Sequence, residues 1–356
     1  MLQKALAAFG IEKGSYDAEP LGSGLINHTW KITCAKKSFV LQRINQSIFK
    51  NPNAIAYNTN LVGTYLHQHY PEYLFILQVR TKDNQLLYVD QEDGSFRFMP
   101  FIENSHTIDV VAFPEQAYEA AAAFGRFTRN LNSFDHHSLQ ITIPDFHNLP
   151  LRYQQFQEAL KTGNRERMIQ SKDIIEFLLH QKRIVETFDQ LQATKDFQQR
   201  TIHHDTKISN VLFDDNDKAL CVIDLDTLMP GYFISDAGDM MRTYLSPVSE
   251  EEKDTSKIFI REEYFTAIVQ GYLKYMGDVL TKTEINHFVY AGKFMIYMQA
   301  LRFLTDHLFN DLYYGTSYEE HNLVRAINQA ALLERFVQKE TFFHQIVTDI
   351  VKSYRK

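Results

Sequence analysis

The chain has 356 residues, with 37 Lys plus Arg against 44 Asp plus Glu, a net charge of −7, and it is 44% hydrophobic and 23% charged. That length holds one large domain or two ordinary ones around a substantial core, the composition is that of a soluble folded protein, and the acidic balance disfavours a surface built for nucleic acid or anionic membrane. Cys34 and Cys221 stand far apart and outside any CxxC spacing, which excludes a disulfide framework or a multi-cysteine zinc site and reads as two reduced core thiols in a cytoplasmic protein.

The first twenty residues lack the long apolar stretch and small-residue cleavage site of a signal peptide. No apolar run approaches the roughly 20 residues that span a bilayer. Short runs rich in branched and aromatic residues follow: TWKITCA, KSFVLQRIN, LFILQVR, QLLYVDQ and SFRFMPFI, separated by Lys, Asp and Gly. They predict β-strands, interrupted by a helix over 53–69. Near residue 103 the pattern changes to helical spacing. Ala117, Ala120, Ala121, Phe124, Phe127 and Leu131 form one stripe, and Ile174, Ile175, Leu178 and Leu179 begin another. Segments 257–276 and 285–309 are long, aromatic-rich and nearly free of helix breakers. The layout predicts an α+β chain: a small antiparallel sheet domain over 1–102 and a larger, mainly helical one over 103–356.

Within the helical part, residues 201–226 read TIHHDTKISNVLFDDNDKALCVIDLD. They predict a polar loop, a strand at Val211–Phe213, a DDND turn and a second strand at 220–223 ending in two acids. The turn brings Asp205 and Asn210 beside Asp224 and Asp226. Hard oxygen donors in such a cluster suit Mg²⁺, which keeps waters and takes its remaining ligands from nucleotide phosphates. A carboxylate next to that metal but not bound to it can accept a proton from an attacking hydroxyl. Asp205 is the candidate base, and Asn210, Asp224 and Asp226 are the candidate metal ligands. The run from Asp214 to Asp217 lacks the Gly and terminal Glu of a calcium loop and reads as a turn. No third imidazole or thiolate follows His203 and His204 at zinc-ligand spacing.

The run from His203 to Asn210 resembles the H-x-D-x-x-x-x-N catalytic loop of the aminoglycoside phosphotransferase and choline kinase superfamily, relatives of the protein kinases, and Val222-Ile223-Asp224-Leu225-Asp226 resembles its metal-binding segment. Within that superfamily the chain is similar to the N-acetylhexosamine 1-kinases, which phosphorylate a sugar at its anomeric hydroxyl. The likeness is carried by LGSGLINHTW, FVLQRIN, HHDTKISNVLF, CVIDLDTLMPG, SDAGDMMRT, LRFLTDHLFNDLYYG and EEHNLVRA, pieces spanning residues 21 to 326.

The resemblance implies a two-lobed protein-kinase-like fold, ATP as co-substrate, Mg²⁺ and a small sugar acceptor. It implies that Gly22, Ser23 and Gly24 lie in the loop over the nucleotide phosphates, where glycines admit close approach of backbone amides. No GxxxxGK[ST] is present, so a P-loop is excluded. The superfamily places a phosphate-pairing Lys on the strand 39–43, and here the only cation there is Arg43. The helix over 53–69 contains no acid to pair with it, leaving Asn58 as its polar partner, with Gln42 as the alternative residue facing the nucleotide. Met99 and Phe101 fall in the hinge that meets adenine. His28, Arg302 and Tyr313, with Asp205, are implied to hold the sugar, although Arg302 also stands i, i+4 from Asp306 and can pair with it. Asp236 and Asp239 are expected to cap a helix and brace the catalytic loop, and His203 to support it. A different alcohol acceptor, such as choline, an aminoglycoside or another sugar, and a nucleotide-binding pseudokinase are the alternative readings; monomer or dimer stays open.

Overall fold

The computed structural model describes residues 1–22, 27–35 and 37–354. A short helix, α1 (Leu2–Ala8), leads into strands β1 (Asp17–Pro20), β2 (His28–Cys34) and β3 (Lys37–Ile44), helix α2 (Pro52–His69), and strands β4 (Tyr88–Asp90) and β5 (Gly94–Pro100). The strands form one antiparallel sheet in the order β1-β2-β3-β5-β4. Its register aligns His28, Arg43 and Phe96 in one row and Trp30, Leu41 and Phe98 in the next. Because strand side chains alternate between faces, these rows share the outer face, where Ile32, Leu41, Phe96 and Phe98 pack under Ala5, Leu6 and Phe9 of α1. Thr29, Gln42 and Arg97 align on the opposite face, which looks into the cleft.

The expected strand over 74–80 is not one. That segment makes a single bond to the sheet, Val79 N–H to the Phe98 carbonyl at 2.7 Å, and lies against α2. There a Cβ on Gly63 would come within 2.3 Å of Leu77 and 2.7 Å of Phe75, so only glycine permits the approach. Helix α2 belongs as much to the C-terminal core as to the sheet. Val62 and Leu66 join the large hydrophobic cluster of the helical part, and buried Asn58 donates to the carbonyls of Gln140 and Leu228, both at 2.8 Å, while accepting from the Gln140 amide at 2.9 Å. Asn58 is therefore spent on anchoring α2 and is no partner for Arg43.

The helical part comprises α3 (Pro114–Asn130), α4 (Leu149–Thr162), α5 (Arg165–Gln170), α6 (Lys172–His180), α7 (Arg183–Gln192), α8 (Phe233–Tyr244), α9 (Glu262–Met276), α10 (Lys282–Asn286), α11 (Phe288–Leu308), α12 (His321–Gln338) and α13 (Glu340–Tyr354). The alanine and phenylalanine stripe predicted on α3 is buried. Helix α11 is apolar nearly all round and runs through the centre of the core. Two small antiparallel ladders interrupt the helices: β6 (Gln199–Ile202) with β9 (Met229–Tyr232), and the predicted hairpin β7 (Val211–Phe213) with β8 (Ala219–Val222). Cys34 and Cys221 are free thiols. Among the described residues no helix is long and apolar enough to cross a membrane.

Candidate active site

Strand β6 delivers the chain into the loop 203–210, and helix α8 holds that loop in place. The buried carboxylate of Asp236 accepts from the backbone amides of His203 (3.1 Å) and His204 (2.7 Å), and Asp239 accepts from that of Thr206 (2.8 Å). The Thr206 hydroxyl donates to the Asp236 carbonyl (2.7 Å), the Tyr244 hydroxyl to the Thr206 carbonyl (2.6 Å), and the Thr227 hydroxyl to the His203 carbonyl (2.6 Å). Asp236 lies in the first turn of α8, whose N-cap is Tyr232, so it braces the loop without capping the helix. Burial pushes its carboxyl up to about 6, a cost met because both backbone donors would otherwise be stranded.

His203 lies between the Ile223 carbonyl, 2.8 Å from Nε2, and the Asp205 amide, which donates to Nδ1 at 3.3 Å. It is a strut joining the loop to the returning strand, as expected. His204 has φ of +68°, a left-handed conformation that a non-glycine residue keeps only where its surroundings enforce it. Its buried ring meets the Thr227 carbonyl through Nδ1 at 3.0 Å. A Cβ on Gly231 would stand 2.4 Å from its Nε2. Burial depresses the imidazole to about 3, so this histidine is uncharged at neutral pH, its one ring proton on Nδ1 facing the Thr227 carbonyl.

The loop and the hairpin close on each other through the Ile223 amide, which donates to the Asn210 carbonyl at 2.9 Å. Asn210 Nδ2 donates to both the backbone and the side-chain oxygen of Asp205, each at 2.9 Å, and Lys207 Nζ lies 3.1 Å from the same carboxylate. Asp224 follows directly with φ of +59°, so the backbone turns sharply where the expected metal ligand stands. Desolvation in the cleft, then the charges of Asp226 and Asp205, push its carboxyl up to about 7 against the pull of Lys207 and Arg97. Desolvation also raises Asp205, but Lys207, His203 and the bonds from Lys207 and Asn210 outweigh it, and the net shift is downward. Two adjacent carboxylates thus differ: Asp205 is held ionised by close partners, and Asp224 has the Arg97 guanidinium only at 4.0 Å.

The donor set tests the expected cation. Among the described residues no group of three or more His, Cys, Asp or Glu is arranged to hold a metal. Asp224 and the Asn210 amide oxygen, both hard donors on facing segments, fit a small cation that draws its other ligands from water and phosphate. Asp226 does not join them. Its side chain is only 4% exposed, paired with the Arg97 guanidinium and accepting from Asn27 Nδ2 at 2.7 Å. Oδ2 is thereby taken by Asn27, while the buried Oδ1 has the Arg97 guanidinium as an ion-pair partner and accepts no hydrogen bond among the described residues, so Asp226, expected as a metal ligand, is tied to the sheet side of the cleft.

The cation of the cleft is likewise not the one expected. Arg43 shares the outer face with His28, where its Nη1 lies 3.9 Å from Met1 Sδ, and the two residues line a cavity of about 310 Å³ with Asn45, Gln46 and Ser47. Arg97, on β5, fills the position facing the acids. Its Nε donates to Gln42 Oε1 at 2.7 Å and Nη2 stands 4.0 Å from Asp224. The nearest sequence signal for it is the alternation of SFRFMP, which sets Arg97 opposite the buried Phe96 and Phe98. Met99 shares the face of Arg97 beside Val40, and the Phe101 amide donates to the Ser38 carbonyl at 3.1 Å under Lys31, whose Nζ lies 4.3 Å from the Phe101 ring. Gly22 has φ of +75°, and Ser23 and Gly24 lie outside the described residues.

Of the expected acceptor residues, Arg302 and Tyr313 each lie against the Tyr314 ring, and His28 lies on the outer face of the sheet. Arg302 does not pair with Asp306, which instead accepts from the amides of Tyr313 (2.8 Å) and Tyr314 (2.9 Å). The Arg302 guanidinium lies 5.7 Å from the Phe146 ring and 5.3 Å from that of Tyr314. Tyr313 stands edge-on to Tyr314 and is 71% exposed. Phe146 and His147 connect this group to the loop 203–210, with ring centroids 6.3 and 5.3 Å from that of His204. Neither residue carried a sequence signal, because their loop, 139–148, has no periodicity.

A family model described as "Phosphotransferase enzyme family" matches residues 17–272. Solved structures share the architecture over nearly the whole chain. An aminoglycoside phosphotransferase from Alicyclobacillus acidocaldarius superposes with a TM-score of 0.64 at 12% identity, covering 98% of this chain and 96% of the other. A microcompartment-associated aminopropanol kinase gives 0.62 at 16%, covering 95% and 97%. An amicoumacin kinase solved with AMP-PNP and Ca²⁺ gives 0.57 at 16%, covering 92% and 91%. At these identities the likeness shows the fold, the two-lobed protein-kinase-like architecture of small-molecule phosphotransferases.

Proposed function

The chain belongs to the phosphotransferase enzyme family, and from that premise we propose that it transfers the γ-phosphoryl of ATP to the anomeric hydroxyl of an N-acetylhexosamine, giving the sugar 1-phosphate and ADP. The observation that carries phosphoryl transfer is Asp205, held by Asn210 and Lys207 at the mouth of a hairpin that presents Asp224 beside it. Residues 1–102 form the nucleotide lobe and 103–356 the catalytic and acceptor lobe, in a cytoplasmic enzyme. Asp205 accepts the proton of the attacking hydroxyl. Its carboxylate is kept charged and oriented by Lys207 and Asn210, as a base that acts by position requires. Asn210 and Asp224 hold Mg²⁺, which supplies neutralisation of phosphate charge when bound. The amicoumacin kinase solved with AMP-PNP and Ca²⁺ supports a nucleotide and a divalent cation in this fold.

The sugar reading rests on the sequence resemblance and on the group at Arg302. Its guanidinium has no carboxylate partner among the described residues and stands between aromatic rings, a pairing that suits a pyranose with polar rim and apolar face. The test is ADP release from Mg–ATP against N-acetylglucosamine, N-acetylgalactosamine, plain hexoses, choline and an aminoglycoside. Turnover confined to the acetylated sugars, with a product resistant to reducing-end reagents, is the expected result. Turnover with another alcohol replaces the acceptor but keeps the kinase; nucleotide binding without turnover on any acceptor favours a pseudokinase.

A further inference from the structure

Resting on the kinase reading, we propose that Arg97 is the residue through which this chain grips the nucleotide's β- and γ-phosphate oxygens, aimed by Gln42 and Asp226 as positioning residues. The cations of β3 are Lys37 and Arg43, and the strand register turns both to the outer face. The cleft face of β3 offers the neutral Gln42 instead, and Gln42 is occupied: its Nε2 donates to Thr29 Oγ1 at 2.9 Å, and its Oε1 accepts from Arg97 Nε at 2.7 Å.

Arg97 is 4% exposed and crosses from the sheet to the segment 224–226. A guanidinium has five N–H donors in a rigid fork. Gln42 takes one and Asp226 engages Nη1, while Nη2 points at Asp224 from 4.0 Å, beyond hydrogen-bonding distance. Among the described residues, Nη2 thus keeps donors without a hydrogen-bond partner beside Asp224, where phosphate oxygens would come if Asp224 shares a cation with them. Asp226 is fixed in turn by Asn27 Nδ2 at 2.7 Å, and Asn27 Oδ1 accepts from the Asn45 amide at 2.9 Å. The chain of contacts from Asn45 through Asn27, Asp226 and Arg97 to Gln42 spans the cleft from both sides. A lysine in place of Arg97 has no fork to satisfy Gln42, Asp226 and an anion together.

The experiment measures binding of Mg–ATP, Mg–ADP and adenosine by calorimetry, with KM for ATP in parallel, in the wild type, Arg97→Gln, Arg97→Lys and Arg43→Gln. Loss of a charge-assisted contact predicts about tenfold or more weaker ATP and ADP binding in Arg97→Gln, with adenosine affinity unchanged. Arg97→Lys is expected to recover part of the loss, and Arg43→Gln to match the wild type. If Arg97→Gln leaves Asp226 buried without a partner and does not fold, Arg97→Gln with Asp226→Asn restores a neutral pair and is read in the same way. Unchanged ATP affinity in the Arg97 variants, an equal loss for adenosine, or a loss at Arg43 overturns the assignment while the kinase reading stands. A wild-type chain that binds no Mg–ATP overturns both.

Discussion

The two walls of the cleft are built by different means. On the helical side, the loop 203–210 is fixed by two carboxylates and one hydroxyl of α8 acting on its backbone, so that His204 keeps a left-handed φ and Asp205 emerges beside Asn210. On the sheet side, position depends on strand register, and the working face is defined by a row of alternating side chains ending in Gln42 and Arg97. The first wall is a contiguous motif whose spacing does the placing. The second assembles one residue from each of several strands, and a shift of one residue exchanges its faces.

The sharpest way to break this contrast is Asp205→Asn. It removes the base while keeping the shape, so kcat should fall by about 10²–10⁴-fold with Mg–ATP affinity retained. Retained turnover, measured by ADP release, would remove Asp205 from the chemistry.

Asp236→Ala tests the helical wall without touching the reacting groups. Stranding the amides of His203 and His204 should cost about 2–4 kcal/mol of stability, seen in denaturant unfolding as a lower midpoint, and kcat should drop with it as the loop loses its brace. An unchanged midpoint would mean that the Thr206, Thr227 and Tyr244 bonds suffice.

The smallest effect sharpens the boundary between the walls. With its carboxyl pushed up to about 7, Asp224 is largely protonated at lower pH, and a cation requires the ionised form. Mg–nucleotide affinity should therefore rise with pH through that value, changing by at most about tenfold per pH unit below it, with a proton released on binding. Calorimetry in buffers of different ionisation enthalpy reads that proton. A flat affinity across the range, with none released, would place Asp224 outside the metal site.

Much of the helical wall was legible in the sequence because its signals are local: the spacing from His203 to Asn210, the hairpin turn, and the acids following β8 all lie within a few tens of residues. The apolar stripe of α3 was equally plain, since period and burial coincide there; of the four residues expected on α6, Ile174 and Leu178 are buried while Leu179 is exposed. The strand expected over 74–80 failed because an apolar run of that length reads the same whether it pairs in a ladder or packs on a helix, and Gly63 lets it pack on α2.

By itself, then, the sequence determined the division into a sheet-rich and a helical part, the loop 203–210, and the acids that end the hairpin, because each is written in residue spacing along one segment. Only the tertiary structure decided that Arg43 and His28 face outward, that Asp226 is committed to Arg97 and Asn27, and that Phe146 and His147 join Arg302 to the loop. Those outcomes depend on which strands pair in which register and on contacts between residues far apart in the chain, and an isolated cation on a strand carries no mark of the face it will occupy until its neighbours are in place.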